Sequence, residues 1–112
     1  MDQAGFQRGL TLFNDGEYFD AHEVWEDVWR AAPGEEKKFL QGLIQIAVAL
    51  HHHSRGNAVG ARSLLARAQR NLADYPATYA GINLVAMRRE IADWEKAPDD
   101  SKPRGFEIKL QT

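Results

Sequence analysis

Sixteen consecutive residues, Phe39 to Ser54 (FLQGLIQIAVALHHHS), carry no Asp, Glu, Lys or Arg, although Lys38 and Arg55 flank them. At about 100° per residue, the apolar side chains from Phe39 to Leu50 sweep more than half of a helix circumference, so other helices must cover this one on most sides. At about 1.5 Å per residue the stretch spans roughly 24 Å, and with Gln41, Gln45 and three histidines in it a membrane span is not expected. Pro33 suits a helix start, Glu35 and Glu36 complement the positive end of its dipole, and Gly56 stops it, which predicts a central buried helix over about 34–55.

The flanking segments supply the cover. Phe6, Leu10 and Phe13 repeat at i, i+4 and i+7 and predict a short amphipathic helix that ends at Asn14-Asp15-Gly16. Residues 17–31 put Ala21, Val24, Trp25, Val28 and Trp29 on one face. Asn57 caps a fourth helix with Ala61, Leu64, Leu65, Ala68 and Leu72 inward, so that Arg55-Gly56-Asn57 joins two antiparallel neighbours. Tyr75-Pro76 breaks the pattern, and residues 75–82 are expected to form a loop. Asn83 can cap a fifth helix through Leu84, Met87, Ile91 and Trp94. The fold class is therefore all-α: a compact bundle of about five helices over residues 1–97, with an extended C-terminal tail, 98–112. Phe106, Ile108 and Leu110 alternate with polar residues, a pattern too short for a sheet of its own, so the tail lies along the bundle or pairs with a second copy.

With 112 residues and a formal net charge of −2 the chain makes one domain with a near-neutral surface. Residues 1–36 hold nine acids and two bases, while residues 37–73 hold six bases and no acid, as acidic and basic helices side by side would require. Arg62, Arg67 and Arg70 diverge by about 60 to 140° around their helix, so no nucleic-acid face is expected. The absence of cysteine excludes disulfides and thiolate metal sites. The N-terminus lacks the basic and apolar runs of a secretory signal, and a cytoplasmic location is expected.

The polar residues of the central helix are selective in position. Gln41, Gln45 and His52 fall within about 40° of one another, so something polar should face them. On the helix of residues 17–31, His22 and Glu26 stand one turn apart at the edge of the apolar face, whereas Asp20, Glu23 and Asp27 point to water. His51 diverges from His52 by about 100° toward the core and His53 by the same angle toward the surface, so the three do not converge on one ion. The motif His22-Glu23-Val24-Trp25-Glu26 lacks the second His of a zinc-protease helix, since Glu26 stands there. His22 and Glu26 could still share one divalent cation (zinc, manganese or iron), with His52 or Gln45 as third ligand, and Glu23 would be a base only if rotated inward. The alternative is that His22, Glu26, Gln41, Gln45 and His52 satisfy each other as a buried hydrogen-bond network.

The phrases FNDGEYFDAHEVWEDVWR and FLQGLIQIAVALHHHSRGN, followed by YAGINL, resemble the domain-of-unknown-function family 309. The resemblance implies a small all-helical protein and, through the His-Glu motif, the label of predicted metal-dependent hydrolase. Where the last phrase in that family more often reads Gly-Ile-Asp or Gly-Leu-Asp, this chain has Asn83. A non-enzymatic role has support of its own. Gly16 and Ala21 are echoed by Gly56 and Ala61, in the manner of tetratricopeptide-like hairpins that offer a groove to a peptide. The tail or a helix face could then make a homodimer.

Overall fold

A computed structural model describes residues 1–111. Five helices succeed one another: α1 (Gln3–Asn14), α2 (Tyr18–Ala31), α3 (Gly34–Ser54), α4 (Ala58–Leu72) and α5 (Leu84–Lys96). Their ends follow local chemistry. The side chains of Asp2, Asn57 and Asn83 accept hydrogen bonds from the backbone N–H of Gly5, Gly60 and Ala86 and so cap α1, α4 and α5. Gly56, at φ 83°, turns α3 into α4 in a left-handed conformation that costs glycine nothing.

α3 is the centre, packed between α2 and α4, with α1 on α2 and α5 on α4. Its Phe39, Leu40, Leu43, Ile46, Ala47 and Leu50 are fully enclosed. Against α1, Trp25 is also fully enclosed and donates from Nε1 to the carbonyl of Phe6 at 3.2 Å. Gly9 makes this contact possible, because a Cβ there would lie 2.1 Å from Trp25 Nε1. Among the described residues no helix is long and apolar enough to cross a membrane.

Residues 75–82 are more ordered than the expected loop. Thr78–Tyr79 (β1) and Ile82–Asn83 (β2) pair antiparallel around Ala80 and Gly81, whose φ values of 50° and 78° give the primed turn that suits a two-residue hairpin. The tail adds a third rung on β2: Asn83 N–H donates to Lys109 O at 3.0 Å and Gln111 N–H to Gly81 O at 2.8 Å. On the tail's other edge, the Asn14 side chain both donates to Ile108 O (3.1 Å) and accepts from Ile108 N–H (2.8 Å), standing in for a neighbouring strand. Strands of two residues carry too little periodicity to be read from sequence, and the pairing exists because the tail closes over the hairpin. Phe106 and Ile108 turn inward, while Leu110 stays half exposed.

The C-termini of α2 and α5 share one capping device, Trp-x-x-Ala-Pro-x-x-x-Lys, at Trp29 to Lys37 and Trp94 to Lys102. Lys37 Nζ donates to Trp29 O (2.8 Å) and Arg30 O (3.2 Å) and lies 4.1 Å from the Trp29 ring centroid. Lys102 Nζ donates to Trp94 O (2.8 Å), Glu95 O (3.4 Å) and Ala97 O, and lies 4.5 Å from the Trp94 ring. The ammonium meets the carbonyls that a helix end leaves unpaired and the negative end of the dipole.

Candidate functional site

The groove between α2 and α3 gathers part of the expected polar set. His22, Glu26 and Arg30 follow one another at i, i+4 and i+8 along α2. Glu26, Trp29 and Arg30 face Gln41 and Ile44 of α3 across an open cavity of about 300 Å³. His22 Nδ1 lies 2.5 Å from the carbonyl of Phe19. A carbonyl only accepts, so Nδ1 carries a proton, which leaves Nε2 as the lone-pair nitrogen of the neutral ring. That nitrogen lies 3.7 Å from Glu26 Oε1, while the other Glu26 oxygen lies 3.9 Å from Arg30, which also pairs with Asp27 at 2.5 Å. The His22 side chain is 16% exposed and that of Glu26 44%, so the pair opens to solvent.

The remaining expected residues lie elsewhere. Gln45 turns toward α4, where its Oε1 accepts from Asn71 Nδ2 at 2.8 Å. Glu23 is exposed. His51, rather than His52, shares the aromatic contact beside His22: the Phe19 ring lies 4.8 Å from His22 and 5.2 Å from His51. Partial burial holds His51 below the ordinary imidazole range, and Arg55, His52 and His22 act in the same direction. His53, expected at the surface, is partly buried, its ring set edge-on against Trp94 at 4.9 Å. Among the described residues no three His, Asp or Glu side chains come together as a group that could hold a metal ion. The buried network does not form either: His22, Glu26, Gln41, Gln45 and His52 are all partly exposed, and His22 and Gln45 bond to Phe19 and Asn71 instead.

Phe19, Arg30 and His51 are the groove residues that the sequence pattern did not place in the site. A signal for them existed. Phe19, His22, Glu26 and Arg30 share one stripe of α2, and Gln41, Ile44, Val48 and His51 follow heptad-like spacing on α3. The expectation that Gln41, Gln45 and His52 face a single neighbour is corrected. α3 is flanked by α2 on one side and α4 on the other, and the small angle between Gln41 and Gln45 suffices to send them to different partners.

A family model described as Domain of unknown function (DUF309) matches residues 6–64, which hold both walls of the groove. An uncharacterized protein of Aquifex aeolicus (strain VF5) is 38% identical over 82 residues, 72% of this chain and 25% of that protein. The uncharacterized protein YpuF of Bacillus subtilis (strain 168) is 44% identical over 57 residues, 50% of this chain and 33% of that protein. The chain thus spans about a quarter to a third of the length of these curated relatives. The crystal structure of a conserved hypothetical protein from Thermus thermophilus superimposes with a TM-score of 0.68 at 34% identity, covering 81% of this chain and 95% of that one.

Proposed function

The chain belongs to the DUF309 family, and from that premise we propose that it is a small binding module whose site is the groove between α2 and α3. His22 and Glu26 engage a divalent cation there, and water and a small polar ligand complete its coordination. One observation carries this reading: Nδ1 of His22 is fixed by Phe19, so that Nε2 is turned toward a carboxylate oxygen 3.7 Å away. When the ring is neutral the two are acceptors facing each other, an arrangement that a cation between them satisfies. An imidazole whose other nitrogen is held by a carbonyl is oriented as metal-binding histidines are, and zinc, manganese or iron suits a His-carboxylate pair. A resident hydrolytic zinc uses three protein ligands, and two are present here, so no hydrolytic step is assigned.

The test is a thermal melt of the full chain against zinc, manganese, iron(II) and magnesium, with His22→Ala and Glu26→Gln alongside. A ligand that binds only the folded state raises Tm by mass action. One metal should raise it, and both substitutions should abolish the rise. No rise with any metal, or a rise that survives both substitutions, refutes the reading.

A second reading, a protein-interaction module, draws on Phe19. This ring is 49% exposed at the mouth of the groove between two imidazoles, as an anchor for a partner would be. Phe19→Ala would then abolish partner capture and leave the metal melt unchanged.

A further inference from the structure

On the side of α3 away from the enclosed Phe39, Leu43 and Leu50, Gln41, Gln45, Val48 and His52 follow one another at spacings of four, three and four, and all four are partly exposed. α2 and α4 flank this stripe as two ridges. Gln45 reaches α4 at Asn71, and Arg67 stands one turn before Asn71 on the same side. Arg62 turns the other way, to Asp99. On α2 the ridge carries Phe19, Glu23 and Glu26, again at spacings of four and three. A solvated stripe three turns long ordinarily carries Lys or Glu, and this one has no Asp, Glu, Lys or Arg. Charge withdrawn from the centre and kept at the rim is the layout of a protein interface, and Phe19, 49% exposed, supplies an aromatic anchor.

The rim charges identify the partner. α2 holds four acids and one base, and α4 holds three bases and no acid. Of these, Glu23, Arg67 and Arg70 make no ion pair among the described residues. An acidic ridge and a basic ridge on opposite sides of an uncharged centre are complementary to themselves. A half-turn about an axis running along α3 lays each copy's α2 over the other's α4, and it keeps every residue at its height along α3. Phe19 stands level with His51, and Asn71 with Gln45. One turn inward along these antiparallel helices, Glu23 is level with Ala47 and Arg67 with Ala49, about 3 Å apart in height. Glu23 of one copy therefore meets the partner's Arg67.

The size of the face suffices. α3 has 21 residues and is about 31 Å long, and helix axes about 9 Å apart put α2 and α4 about 18 Å from each other. The flat footprint is about 550 Å² per copy, or about 1,100 Å² for a pair, just above the minimum for a specific interface. We propose that this face joins two copies of the chain as a two-fold dimer, α3 against α3 and each α2 over the partner's α4. The dimer does not rest on the cation, since neither Glu23 nor Arg67 is a proposed ligand.

The experiment is sedimentation velocity of the full chain from about 1 to 500 μM, in EDTA so that the pairing and the cation are tested apart. A dimer with a micromolar midpoint is expected. Glu23→Arg and Arg67→Glu each set like charges against each other at two symmetric contacts, and each should weaken dimerisation about tenfold. Both positions are exposed, so Tm should not change. Mixing the two variants should restore dimerisation, because each then offers the other the opposite charge at both contacts. Within one chain the two positions lie on separate ridges, so the restoration has to come from pairing between copies. A chain that stays monomeric to about 500 μM would leave this face to a different protein and overturn the proposal. A dimer indifferent to both reversals, or variants that do not recover on mixing, would overturn it as well.

Discussion

Replacing Lys102 with Met keeps the length of the side chain and most of its apolar stem but removes the ammonium that closes the end of α5. The Lys102 side chain is only 1% exposed, and its Nζ serves three carbonyls, those of Trp94, Glu95 and Ala97, beneath the Trp94 ring. Hydrogen bonds from a charged donor contribute about 1.5 to 3 kcal/mol net, and a largely desolvated cation–π contact adds about 1 kcal/mol. Relief from desolvating the ammonium offsets part of this, so Lys102→Met should cost about 2.5 kcal/mol, or roughly 10 °C in Tm for a domain of this size. The homologous cap provides an internal control. Lys37 serves two carbonyls instead of three, so Lys37→Met should cost about half as much. Urea unfolding of both variants, followed by circular dichroism, measures the two losses. A loss below about 0.5 kcal/mol for Lys102→Met, within the range of ordinary surface substitutions, would refute the capping argument. So would a larger loss for Lys37→Met than for Lys102→Met.

Three further outcomes follow from the packing and charge. Gly9→Ala drives a methyl group to 2.1 Å from the Trp25 ring nitrogen and should cost about 1 to 3 kcal/mol in thermal unfolding, with a change in tryptophan fluorescence. Asn14→Ala removes both hydrogen bonds to Ile108 and should cost about 1 to 3 kcal/mol, while hydrogen exchange at Lys109 and Gln111 speeds up as the tail loosens. His51 has a folded-state pKa below its unfolded value of about 6.5, so as pH falls through that value the unfolded chain takes up the proton first and stability declines. His51→Gln should flatten the decline between neutral pH and the lowered pKa, as melts at a series of pH values would show. An unchanged slope would mean that His51 titrates alike in both states.

Much of this protein is set by interactions between near neighbours in the chain, and those are legible without a structure. The uncharged run from Phe39 to Ser54 demands cover on several sides, and α2 and α4 provide it. Asn57, Asn83 and the glycine after α3 mark helix ends because caps act over three or four residues. The repeated Trp-x-x-Ala-Pro-x-x-x-Lys was equally available as a pattern, yet its meaning depends on a lysine folding back across a turn to the helix it follows. What tertiary structure alone decided is how the polar stripe of α3 is divided. A rotation of a few tens of degrees between packed helices leaves the hydrophobic pattern satisfied, but it moves Gln45 to Asn71 on α4, keeps Gln41 opposite Glu26, and sets His51 beside Phe19. The β-hairpin and the tail are of the same kind, since two-residue strands hold only when Ile108, Asn14 and Asn83, distant in sequence, meet in space. Core burial is tolerant of such rotations, whereas a site built from single polar atoms is not.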